Sequence, residues 1–208
     1  MGPDRSELLR ALHDRIQSCL ECQRQRGIEI SKPDSMERGT ADARILAIGA
    51  APGRQAAEKQ LAFAGHSFTR LYKTFVKAGF AGDQAALRRE MYLTSVLKCA
   101  PPDQGARTRR QMSSLCLPFL GEQAEIIRPQ FALILGKDAF DALAVKGTFA
   151  ESVGRVRDGA ALFGLLPAPG RIDRWMVMPH PSPLCRLWND PEVVERTVES
   201  LRTLLQDL

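Results

Sequence analysis

Cysteine placement sets the tightest limit on how this chain can fold. Cys19 and Cys22 form a C-x-x-C step in CLEC, just after a short amphipathic stretch, and Cys99 and Cys116 stand 17 positions apart in KCAPPDQGARTRRQMSSLC. Thiolates so placed close a four-sulfur site, a tetrahedral zinc or an iron–sulfur cluster, once the fold brings the two pairs together. A site fed from both pairs spans roughly half the chain. It calls for one domain over residues 1–208, with the N-terminal helix and the C-x-x-C included, and not for a detachable finger. The fifth cysteine, Cys185, reads as a small packing residue.

A chain of 208 residues is ample for one real core. Its 44% hydrophobic and 25% charged content is that of an ordinary globular protein. The net charge of +5 permits a polyanionic partner without demanding one. The N-terminal MGPDRSELLR is charged and has no apolar core, so the cysteines do not read as a secreted disulfide scaffold. No apolar run approaches the roughly 20 residues that span a bilayer. The expectation is a soluble, cytoplasmic protein with no membrane partner, acting as a monomer.

Leu8, Leu9, Leu12 and Ile16 recur at helical spacing over 6–18, with Ser6 as N-cap. The polar stretch Gly27 to Asp42 reads as loop. Apolar runs at 43–50 (ARILAIGA), 91–97 (MYLTSVL), 131–135 (FALIL) and 175–179 (WMVMP) read as buried strands. Between them, helices are expected at 66–78 (Phe68, Leu71, Tyr72, Phe75 and Val76 on one face, closed by Gly79), from about Arg110 to Ile127, over Lys137 to Val145, and over Pro191 to Leu205. This order describes a three-layer, doubly wound α/β fold around a mostly parallel four-stranded sheet. Ligands bind such sheets outside the carboxyl ends of the strands. Those ends carry Gly49 to Gly53, Ser95 to Cys99, Gly136, and His180 to Arg186, which points to one site.

Two of these ends carry their own chemistry. GAAPG (Gly49, Ala50, Ala51, Pro52, Gly53) is a small-residue loop that lets backbone approach a ligand, with one turn fixed by proline. His180 in HPSPL is held between prolines at a strand end and makes a rigid donor at the sheet mouth.

Taken in order, GAAPG, Phe63 at 14 positions beyond Gly49, YLTSVLKCAPP, CLPFLGEQ, a strand ending in LG, and HPSPL resemble the uracil-DNA glycosylase superfamily over nearly the whole chain. The cysteine pattern resembles its iron–sulfur branches, families 4 and 5. The resemblance implies a DNA glycosylase that flips a base out of the duplex, hydrolyses its N-glycosidic bond and leaves an abasic site. It implies a [4Fe-4S] cluster on Cys19, Cys22, Cys99 and Cys116, with structural zinc as the alternative. Phe63 would stack on the base within a pocket formed with Gly49 to Gly53 and Ser95. His180 would stabilise the departing base, Ser182 would contact a phosphate, Leu184 would wedge into the gap, and Arg186 would meet the DNA. Arg107, Arg109 and Arg110 read either as backbone contacts or as a solvated basic face.

The chain departs from those branches inside the pocket. Family 4 reads GEAPG where Ala50 stands, and the aspartate of other uracil enzymes falls at Ala51, so both carboxylates of this loop are missing. Ser95 replaces a base-reading asparagine and offers a shorter, less specific contact. These changes lean toward family 5. That branch, however, carries a carboxylate just after the phenylalanine, where this chain has His66, and the tail LCRLWND is closer to family 4. His66 is the candidate for orienting water in place of the missing acid, with Glu58 and Asp103 as alternative carboxylates. Three further readings stay open: a pocket retuned for a bulkier modified base, a DNA-binding homologue without turnover, and a zinc-stabilised α/β domain of unrelated function.

Overall fold

Residue-by-residue alternation along the apolar runs decides which side of the sheet each side chain feeds. The computed structural model describes residues 4–30, 38–102, 105–143, 145–158, 172, 174–206 and 208. Its strands are β1 (Ile45–Gly49), β2 (Met91–Ser95), β3 (Phe131–Leu135), β4 (Val156–Asp158) and β5 (Arg174–Met178). They are ordered β2-β1-β3-β5-β4, parallel throughout except that β4 runs antiparallel to β5. Every residue of β1, β2 and β3 is buried, which is why these strands read as unbroken apolar runs.

The helices are α1 (Arg5–Ser18), α2 (Glu21–Arg26), α3 (Arg54–Lys59), α4 (His66–Lys77), α5 (Gln84–Glu90), α6 (Ala106–Ile127), α7 (Lys137–Ala142), α8 (Phe149–Ser152) and α9 (Pro191–Leu205). Leu46, Ile48, Ala132, Ile134, Trp175 and Val177 form a core with Leu9 of α1, Leu120 and Ala124 of α6, and Phe140 of α7. On the opposite face Ile45, Ala47, Leu133 and Met176 pack with Phe68, Leu71 and Phe75 of α4, Leu87 of α5, and Leu201 of α9. Helix layer, sheet, helix layer: the three-layer expectation holds.

The sheet has five strands among the described residues, not four. β4 is only VRD, polar and partly exposed, so it offers no apolar run to read. The N-cap of α1 is Asp4, not Ser6, because the Leu8 amide closes the first turn on the Asp4 carbonyl. Leu8 and Val76 are exposed and do not join their helices' buried stripes. α6 starts at Ala106, earlier than expected, and α7 ends at Ala142. Glu58 lies on α3, while Asp103 lies outside the described residues.

Candidate functional site

The carboxyl ends of β1, β2, β3 and β5 meet around two cavities that share a wall. The first, of about 280 Å³, is lined by Gly49, Phe63, Ser67, Ser95, Arg38 and His180, with Ala51 to Gly53 along one side. The second, of about 630 Å³, lies across that wall and is lined by Ala50, Gly136, Asp138, Arg109, Cys185 and Leu187, again with Ala51 to Gly53 and His180. Both sizes suit a small ligand.

Phe63 points the tip of its ring at the β1 end, its Cζ within 2.9 Å of where a Cβ on Gly49 would stand. Its backbone is left-handed (φ 54), a conformation that costs an aromatic residue on the order of 1 kcal/mol and persists only where packing holds it. Ser95 is buried, and its hydroxyl donates to the Leu97 carbonyl at 2.6 Å. Its oxygen can therefore only accept from a ligand. Beside it the fully buried Lys98 ammonium donates to Thr94 Oγ1 (3.1 Å), the Ser95 carbonyl (2.6 Å) and Gln123 Oε1 (2.8 Å), fixing the end of β2. Gln123 Nε2 continues the chain to the Tyr92 hydroxyl, which meets His13 Nε2 at 2.5 Å.

His180 is the most constrained group of the site. Its Nδ1 accepts the Ser182 backbone N–H at 3.2 Å, so the neutral ring carries its proton on Nε2. Burial lowers its pKa, opposed by Asp138. The Trp188 indole N–H donates to the His180 carbonyl at 2.8 Å, and Arg70 stacks on Trp188 while reaching the Ser182 carbonyl. Ser182 Oγ accepts from the Leu184 amide at 3.2 Å. Gly136 backs the ring: with φ +89, it leaves only 2.7 Å between a would-be Cβ and His180 Cβ. Leu184 projects from this braced loop, 89% exposed, and Arg186 next to it is exposed as well.

His66 is not brought in. It is exposed at the start of α4, and its neighbour Ser67 lines the cavity; successive helical side chains point about 100° apart. Arg109 pairs with Asp138 at 2.6 Å on the wall of the second cavity, while Arg107 and Arg110 are exposed. The sequence reading missed Arg38, Arg70, Trp188 and Asp138. None of them carries a motif; each matters through a distant partner.

The four cysteines converge from the end of α1, α2, the loop after β2, and α6. Cys22, Cys99 and Cys116 share one apolar cluster with Leu97 and Met112, and Cys22 is in hydrogen-bonding contact with Cys116. Burial, with Cys116 and Cys19 close by, pushes the Cys22 thiol up to about 11. Cys99 is buried and Cys19 partly so, and all four are free thiols. Among the described residues, no three of the His, Cys, Asp or Glu side chains form a group able to hold a metal ion. A soft all-sulfur donor set in an apolar shell nonetheless fits a zinc or iron–sulfur group, whose positive charge stabilises the thiolates that burial disfavours.

The family model for the Uracil DNA glycosylase superfamily matches residues 36–207. The Type-4 uracil-DNA glycosylase of Pyrobaculum aerophilum is 27% identical over 150 residues, 72% of this chain and 71% of that protein. That of Saccharolobus solfataricus is 25% identical over 205 residues, 92% of this chain and 84% of that protein. A Type-5 uracil-DNA glycosylase of Pyrobaculum aerophilum is 27% identical over 184 residues, 81% and 72% of the two chains. No described helix is long and apolar enough to cross a membrane. With a matching model over most of its length and the sheet-end constellation in place, this chain belongs to the uracil DNA glycosylase superfamily.

Proposed function

We propose that the protein is a single-domain, monofunctional DNA glycosylase. It hydrolyses the N-glycosidic bond of uracil, or of another deaminated or modified base, after the base has flipped from DNA into the Phe63 cavity. The observation that carries this reading is the fixed His180 tautomer, which keeps Nε2–H free as a donor on the wall of that cavity.

The base enters with Phe63 stacked on its face, and Ser95 Oγ accepts from its edge. The C1′–N bond breaks with its electron pair going to the base. His180 Nε2–H donates to an oxygen of the base as that charge develops, and water adds its oxygen to C1′ while the proton it releases passes to the departed base anion. Ala50 and Ala51 leave no carboxylate in the loop to activate the water, so leaving-group stabilisation carries more of the barrier. Ser182, whose oxygen already accepts from Leu184, has its O–H available for a phosphate, and Arg186 flanks it. His66, exposed at the α4 start, takes no step here.

Leu184 fills the space the flipped nucleotide vacates. Burying a leucine is worth about 1.5–3 kcal/mol, so Leu184→Ala is expected to slow cleavage in duplex DNA roughly tenfold and to leave single strands nearly unaffected. Equal losses on both substrates would reject the wedge.

Cys19, Cys22, Cys99 and Cys116 would hold a [4Fe-4S] cluster, with zinc as the alternative. The group supplies a cross-link between the N-terminal helices, the β2 end and α6, and no chemical step. Cys99→Ser is expected to purify without its full iron and sulfide and without visible colour. A fully loaded variant removes Cys99 from the ligand set.

The second cavity favours a second reading, in which a bulky substituent on the base passes the small Ala51–Gly53 wall. Single-turnover cleavage of duplexes carrying uracil, hypoxanthine, xanthine, ethenocytosine or a bulky modified pyrimidine separates the readings. Cleavage of several deaminated bases supports the first, and cleavage of the bulky base alone supports the second. Tight binding with no cleavage anywhere overturns both and leaves a DNA-binding homologue.

A further inference from the structure

Arg38 is held against the edge of the sheet, where the Leu93 amide donates to its carbonyl at 2.7 Å. Its side chain is turned inward: the residue is only 8% exposed and lines the Phe63 cavity. The other buried cation, Lys98, gives three hydrogen bonds. Arg38 gives none: its guanidinium makes no hydrogen bond or ion pair with any described residue. No carboxylate is among the described residues lining this cavity. The titratable groups that its charge reaches are Tyr92, Cys99, Lys98 and His13, of which Cys99 would be a thiolate in a loaded cluster.

A guanidinium stays charged in a protein and presents five donors in a rigid fork. Burying that charge without a hydrogen-bonded partner is costly, so a fold that keeps its nitrogens at a cavity wall has a use for them in a complex. The charge borders the cavity where, on the glycosylase reading, the bond breaks and its electrons move onto the base. The leaving base becomes an anion with charge spread over its ring nitrogen and carbonyl oxygens. His180, held neutral, offers that anion a dipole only.

We propose that Arg38 is a second catalytic residue, whose guanidinium contacts the departing base and stabilises its negative charge, and that the site therefore selects bases that leave as oxygen-rich anions. This inference rests on the glycosylase reading and deepens it. It assigns the site to uracil-like and xanthine-like bases and against cationic alkylated purines, which a buried arginine repels.

The test compares uracil with 5-fluorouracil, nearly its size but a better leaving group because fluorine withdraws charge from the anion. Both are placed in duplex DNA under single-turnover conditions with the full-length protein. Arg38→Met is expected to cut uracil on the order of a hundredfold more slowly than the unmodified protein. The loss on 5-fluorouracil is expected to be smaller, so the ratio of the two rates widens about tenfold. Arg38→Lys, which keeps the charge, is expected to recover most of the ratio. An Arg38→Met protein that loses both rates by the same factor, or neither, overturns the proposal. Because Cys99 is close by, visible absorbance is recorded on the same samples. Poor metal loading lowers both rates alike, and that outcome counts against Arg38 as a catalytic group. An unmodified protein that cleaves neither base refutes the glycosylase reading itself, a result distinct from an unchanged ratio.

Discussion

His180→Ala is expected to lower single-turnover cleavage between a hundredfold and a thousandfold, with DNA affinity and thermal stability nearly unchanged. One preorganised donor aimed at developing charge is worth about 2.7–4 kcal/mol. His180 satisfies the conditions for that range, since its carbonyl, its Nδ1 and its Cβ are each held from a different direction. Loss of DNA binding in parallel with rate would show instead that the side chain organises the loop. The same residue sets the pH profile. Burial lowers its pKa below the ordinary 6.5, so the neutral form, the one able to accept the Ser182 N–H, persists into mild acid. Activity is expected to hold through neutrality and fall only below the usual histidine range; an acid limb at pH 6.5 or above contradicts the assignment. The stability sign agrees. A histidine with a folded pKa below its unfolded one contributes fully above 6.5, and that contribution is lost as pH falls through the folded value.

Gly136→Ala is expected to be the most damaging single-methyl change at the site. The position has φ 89 and ψ 168, a region essentially reserved for glycine that costs an alanine about 1–3 kcal/mol, and the new Cβ would lie 2.7 Å from His180 Cβ. Backbone stands on both sides of that contact, so relief requires moving β5's end away from β3. A shift of about 1 Å at a reacting group costs on the order of a hundredfold in rate. The variant should therefore melt earlier and cut slowly even at temperatures where it is fully folded. If it is destabilised but retains its rate when folded, the contact between Gly136 and His180 does not position the ring.

How far this was legible in the sequence follows from what each element depends on. β1, β2 and β3 are buried on both faces, so their apolar runs betray them. β4 depends on pairing with β5 and has no signal of its own. Phe63, Ser95, His180 and the GAAPG loop were legible because their order along the chain is family-like and their strands all end at one edge. The phase of α4 was not, and it decides that Ser67 and not His66 reaches the cavity. Arg38 was hidden for a related reason. It stands in a polar stretch that reads as loop, and only its pairing with Leu93, far along the chain, turns it toward the site.

The bracing of the terminal loop has an optical consequence. The chain has two tryptophans. Trp175 is sealed in the sheet with its N–H on the Asp158 carbonyl, shielded from events at the surface. Trp188 is half-buried under Arg70, with its indole tied to the His180 backbone. Of the two emitters, only one is wired to the loop that carries Leu184 and His180. The protein thus contains a built-in fluorophore through which engagement of that loop can be followed without any label.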